Sequence, residues 1–177
     1  MKSRRLPLLA ALAAFACRPA PHPATDSATV TSTVTSTVAS NAASADSLLL
    51  ERVAGFTRRP GYRVSVTRTG RVDFAWLAPG DSARPDSATI PPASAAALID
   101  AAAAAGVGTL PENIREHPDL CGPMATDHGT AVITLFGPAG RTTRVSDYLG
   151  CRDAVPALRA YEARIDSVAG TERWTTR

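Results

Sequence analysis

Two stretches of strict alternation organise the chain. Tyr62, Val64 and Val66 alternate with Arg63, Ser65 and Thr67; after a turn at Thr69-Gly70, Val72, Phe74 and Trp76 alternate on the return. A period of two gives each strand one apolar face, so this segment predicts a half-buried β-hairpin. Ala131, Ile133 and Leu135 repeat the pattern against Val132 and Thr134. Gly137-Pro138-Ala139-Gly140 then turns the chain, and Arg141 to Tyr148 returns with Val145 and Thr143 facing inward. That is a second hairpin. Ahead of both, Leu48 to Val53 is apolar enough to form a strand and reads as an edge strand that breaks at Gly55 to Gly61.

Elsewhere the period lengthens. Ala78 to Ala88 is polar, contains Pro79, Gly80 and Pro85, and reads as a loop. From Ser94 the run AAALIDAAAAAG has high helix propensity and predicts a helix stopped by Gly106, with Leu98 and Ile99 as its core contacts and Val107 and Leu110 packing back behind it. Pro111 to His128 is the least regular stretch. Near the end, Asp153 is placed to cap a helix with Pro156 in its first turn. Leu158, Tyr161, Ile165 and Val168 form its apolar stripe, and Gly170 stops it. A Trp in the polar tail, Trp174, is best explained by docking on the body. The elements predict an α+β fold over residues 47–177: one small domain in which two antiparallel hairpins form a sheet packed by helices near 94–105 and 153–169. That length supports one core and not two.

The N-terminal pattern is of another kind. Lys2, Arg4 and Arg5 precede the apolar run Leu6 to Ala16, the charged and hydrophobic regions of a secretory signal. The run is too short to cross a membrane, for which about 20 residues are needed. Ala14-Phe15-Ala16 suits ordinary signal cleavage, whereas the same residues followed by Cys17 resemble a bacterial lipobox, with Ala14 and Phe15 departing from the usual Leu and small residue. The adopted reading is a signal over 1–16 and a lipid on Cys17, because ordinary cleavage would leave an unpaired terminal thiol in an oxidising compartment. Arg18 in the next position permits outer-membrane sorting. Residues 17–46, rich in Ala, Thr, Ser and Pro with the repeat TVTSTVTSTV, predict a disordered tether with a reach of about 30 Å. The alternative for this stretch is a glycosylated or self-associating stalk.

Charge changes once the leader is removed. Three of the 19 basic residues lie in it, and the remaining 16 arginines face 16 Asp plus Glu. The mature chain has no basic excess to attract nucleic acid or an anionic membrane, and its expected membrane contact is the lipid anchor alone.

The Tyr62-x-Val64-x-Val66 strand, Gly70 and Val72, Leu110-Pro111, Asp127, Tyr148, Gly150 and Gly170-Thr171-Glu172-Arg173-Trp174 together resemble a bacterial family known as domain of unknown function 6438. The resemblance spans nearly all of residues 48–174 and implies the fold and an envelope location, but no activity. Many members carry a Cys-x-Gly-x-Cys-Pro turn before the first hairpin. Here Gly55-Phe56-Thr57-Arg58-Arg59-Pro60 retains only the proline, so no role assigned to those cysteines transfers.

Cys121 and Cys151 flank the second hairpin in a chain expected to meet oxidants, which predicts a disulfide. A thiolate zinc site with His117 and His128 is the sharper alternative, although H-x3-C-x6-H matches no compact finger. A hydrolase would use His128 beside Asp127 with Ser146 as nucleophile, but no glycine-framed elbow supports it. Glu112 and Glu116 read as solvated surface. Gly106-Val107-Gly108 lacks a third glycine and follows a helix, so no nucleotide or other cofactor is expected. The functional expectation is a non-catalytic module, tethered in the envelope as an outer-membrane lipoprotein facing the periplasm or the surface, that binds another envelope component through Pro111 to His128. A small envelope hydrolase is the alternative.

Overall fold

The computed structural model describes residues 45–176, apart from 58, 78–84, 139, 141 and 154. The expected signal, Cys17 and nearly all of the expected tether lie outside the described residues. Among the described residues no helix is long and apolar enough to cross a membrane.

The alternating segments form one antiparallel sheet. Its strands are β1 (Ser47–Val53), β2 (Tyr62–Thr67), β3 (Arg71–Trp76), β4 (Asp86–Thr89), β5 (Thr130–Phe136) and β6 (Thr142–Tyr148), in the order β4-β3-β2-β1-β5-β6. Among the described residues four helices accompany it: α1 (Pro92–Asp100), α2 (Pro118–Cys121), α3 (Pro156–Ala169) and α4 (Glu172–Thr175), with a 3₁₀ turn at Ile114–Glu116. The fold is α+β, and both expected hairpins belong to the one sheet.

Strand β1 corrects the expectation of an edge strand. It pairs with β2 on one side, Leu48 opposite Val66, and with β5 on the other, Leu48 opposite Leu135. Leu48 and Leu50 are completely buried. This strand therefore joins the two hairpins. A second correction concerns the proline-rich loop, whose last part is β4, with Val72 opposite Ala88 and Phe74 opposite Asp86. Four residues with no apolar run carry no periodic signal of their own.

The inward positions of the sheet meet α1 and α3 in a single core that includes Leu50, Val64, Phe74, Ile133, Leu98 and Ile165. Helix α1 ends at Asp100, six residues before the expected stop at Gly106. Beyond it Ala102 donates to Ile99 and Gly106 to Ala103, Ala105 is shared between Ala101 and Ala102, and Val107 reaches back to Ala102, an irregular winding of turns. Ala102, Ala105 and Val107 are all buried by this winding, so packing overrides the helix propensity of the alanine run. Helix α3 begins after Val155 without a side-chain cap, in place of the expected Asp153, and Pro156 occupies the first turn, where a missing N–H costs nothing. Gly170 closes it in the left-handed conformation at φ 68°.

The tail docks, as expected from Trp174. The indole stacks on Phe74 at 4.7 Å between ring centroids, and its Nε1 donates to Asp86 at 2.7 Å. Phe136 is more than a third exposed. It lies one residue past Leu135 on the outward face, and parity decides the matter.

Candidate functional site

One end of the sheet gathers the ends of β1, β3 and β6 and the starts of β2 and β5. There Cys121 and Cys151 are joined by a disulfide. Around it the backbone is cross-tied: Ala125 donates to Gly150, Arg152 to Pro123 and Asp153 to Cys121. The Tyr148 hydroxyl donates to the Ala125 carbonyl at 3.0 Å and accepts from the His128 N–H at 3.2 Å, while the Arg115 guanidinium lies 4.9 Å from the Tyr148 ring centre. The irregular stretch is thus pinned at several points.

The loop after β1 packs on the same frame. Gly55 approaches the backbone of Asp127 to Gly129 so closely that a Cβ would overlap it, and Phe56 donates its N–H to the Asp127 carbonyl at 2.9 Å. Glycine is required at that contact. The Phe56 side chain is 92% exposed, and Met124 and Val53 are each about half exposed. Three of the four exposed large apolar residues among those described therefore belong to this end of the sheet.

The residues expected to form a hydrolytic site are not assembled into one. Asp127 stands in the left-handed region at φ 67°, and its carboxylate accepts from the Thr126 hydroxyl at 3.1 Å. His128 is exposed at the surface. Ser146 lies opposite Val132 in the β5–β6 ladder, four residues along from His128, or about 13 Å at strand rise. Its N–H donates to the Glu112 carbonyl at 2.7 Å, and Asn113 bridges to it beyond the edge of β6. Among the described residues no hydrogen bond joins His128, Asp127 and Ser146 side chains to one another. The thiolate zinc alternative loses both of its sulfur ligands to the disulfide. Glu112 pairs with Arg144 at 3.0 Å and Glu116 accepts from Asn113 at 2.6 Å, both at the exposed surface.

A polar cluster that the sequence reading did not single out lies beneath α3. Arg52 donates through Nη1 to Glu162 at 2.6 Å, and through Nε and Nη2 to Asp166 at 3.2 and 2.8 Å. The other oxygen of Asp166 accepts from the Tyr62 hydroxyl at 2.7 Å and from Thr171 at 3.2 Å. Asp147 on β6 accepts from Arg159 Nε at 2.9 Å, and Arg159 also donates to the Cys151 carbonyl at 3.0 Å. Burial opposes the charge on Arg52, but Asp166 and then Glu162 more than offset it, so its pKa is raised. Burial, followed by the hydrogen bond to Asp166, pushes the Tyr62 hydroxyl up to about 12. Burial also pushes the Glu162 carboxyl up to about 7, with Arg52 pulling the other way and the Asp147 charge adding to the rise.

A signal for this cluster was present in the alternation. Arg52 follows Leu48 and Leu50 at the inward parity of β1, Asp147 follows Val145 on β6, and Glu162 and Asp166 sit four and eight residues after Leu158 on α3. Comparison with protein-family models and with curated proteins finds no match.

Proposed function

We propose that the chain is a lipoprotein of the bacterial envelope, held through Cys17 at the outer membrane. Its domain is a non-catalytic module that binds or scaffolds another envelope component through the face around Pro111 to His128. The resemblance to domain of unknown function 6438 belongs to the same reading and adds no activity to it. The observation that carries the binding role is Phe56, whose ring is 92% exposed on a loop held by backbone contact to Asp127. Burying such a side chain is worth about 1.5–3 kcal/mol, a gain left for a partner to realise. Met124 and Val53 extend the apolar surface at the same end. The disulfide and the Tyr148 hydrogen bonds hold this face in shape, which lowers the ordering cost on binding.

The test has two parts. Intact mass of the protein purified from a native-like envelope is expected to show acylated Cys17. A photo-crosslinking residue at position 56, compared with one at the exposed Arg71 on the opposite end of the β2–β3 hairpin, is expected to give one discrete envelope adduct at 56 alone. Met124→Ser is expected to abolish that adduct while changing stability by less than about 0.5 kcal/mol. His128→Ala is expected to leave it intact. Equal labelling at both positions, or an adduct indifferent to Met124, overturns the binding face.

A further inference from the structure

We infer that Glu162 keeps a proton and donates it to Asp147, a carboxyl–carboxylate hydrogen bond that fastens α3 to the sheet and weakens as that proton leaves. The register places the pair. Arg52 is opposite Ala131, and Ala131 is opposite Asp147, so one row across three strands reads guanidinium, methyl, carboxylate. Ala131 is buried and small, and Glu162 reaches into the row from α3 above.

The hydrogen-bond account leaves two oxygens over. Glu162 Oε2 accepts from Arg52 and Asp147 Oδ2 accepts from Arg159, yet Glu162 Oε1 and Asp147 Oδ1 are buried without a partner among the described residues. The two side chains are 3% and 1% exposed. Asp166, by contrast, has both oxygens satisfied. A buried acceptor left unmatched is costly, and two in one cluster make a case for a missing donor.

Charge leads to the same place. The groups that face the pair are Arg52 from β1, Tyr62 from β2 and Arg159 and Asp166 from α3, with Thr171 beyond its end. Three carboxylates then meet two guanidiniums, and Tyr62 retains its proton. The excess is one negative charge, which a single proton cancels while it supplies the donor that both unmatched oxygens lack. Burial and the Asp147 charge raise Glu162 to about 7, in agreement with a proton kept under mildly acidic conditions.

The sign of the pH effect follows from that rise. A folded-state value of about 7 against an ordinary 4.5 means that the protonated form is the one folding favours. This contribution is complete below 4.5 and is lost as pH climbs through about 7. Across that window the folding equilibrium constant is expected to fall on the order of a hundredfold.

Glu162→Gln in the full chain is the test, because an amide accepts from Arg52, donates to Asp147 and cannot ionise. Melting temperature is measured across the window for both proteins, with infrared spectra of the wild type near pH 6 recorded with and without isotope-labelled glutamate. The wild type is expected to lose stability as pH rises, the variant to hold level and to melt several degrees higher on the alkaline side. A protonated-carboxyl band that shifts with the glutamate label is expected in the wild type. Asp147→Asn provides the second variant: it removes the neighbouring charge and offers Glu162 a donor, and is expected to move the transition toward the ordinary carboxylate value. Parallel profiles for wild type and Glu162→Gln overturn the proton on Glu162, as does the absence of the labelled band.

Discussion

Arg52 is the side chain on which the buried cluster turns. It serves two carboxylates at once, and its own exposure is 20% against 3% for Glu162. Removing one partner of a buried ion pair typically costs about 3–5 kcal/mol, because the charge left behind has lost its compensation. Arg52→Met is expected at the lower end of that range, since Asp166 retains some solvent contact and Tyr62; urea unfolding by linear extrapolation measures it. Lysine is not expected to rescue the loss, because a point charge cannot reproduce the forked contacts to Glu162 and Asp166. The two aromatics Phe56 and Trp174 make an opposite pair of cases. Phe56→Ser removes a ring that touches solvent and is expected to alter stability by less than about 0.5 kcal/mol. Trp174→Ala removes a ring stacked on Phe74 and a hydrogen bond to Asp86, and is expected to cost about 3–5 kcal/mol in the same assay. Residue type alone does not separate these two. The polar setting of Trp174 hinted at docking, whereas the outward position of Phe56 depends on the close approach of Gly55 to Asp127.

Among the elements, the stretch from Pro111 to Cys151 is tied across by one covalent bond as well as by hydrogen bonds. The Cys121–Cys151 disulfide spans 30 residues, and a loop of that size is worth about 3–4 kcal/mol in the chain-entropy account. Replacing both cysteines by serine is expected to lower stability by that amount and to raise amide exchange first in residues 111–128, as hydrogen exchange read by mass spectrometry would show. Regular elements with a strong period were legible in the chain: β2, β3, β5, β6 and the buried stripe of α3. The weaker ones were not. β4 is too short to show a period, and it exists because β3 offers a free edge. The alanine run after Asp100 favours helix by propensity, yet the burial of Ala102, Ala105 and Val107 selects an irregular winding. In each case a neighbour outside the segment decides.

At the level of the whole molecule, β1 is what makes two hairpins into one sheet. It carries ladders to both β2 and β5, so its two buried leucines, Leu48 and Leu50, are shared between the halves of the core. A chain truncated through Val53 is expected to lose its cooperative unfolding transition altogether, where loss of a true edge strand would only lower the midpoint; circular dichroism during a thermal scan distinguishes the two. The ordering of β1 begins slightly early, with Ala45 buried and its carbonyl bonded to Arg68.

Alternation along β2, β3, β5 and β6 by itself determined which of their side chains point inward, and with them much of the core, because side-chain direction in a strand is a local property with a fixed period of two. The place of Cys121 and Cys151 at the two ends of the second hairpin pointed to the disulfide, and the structure decides it against the zinc alternative. Strand order was beyond alternation: whether Leu48 to Val53 lies at an edge or in the centre depends on which surfaces find each other, and that is settled by shared burial across distant segments. The candidate sites belong to this second kind. Phe56 meets the loop at Asp127, and Arg52, Asp147 and Glu162 meet under α3, only when the chain has closed. Their chemistry comes from proximity and loss of water, which no single segment contains.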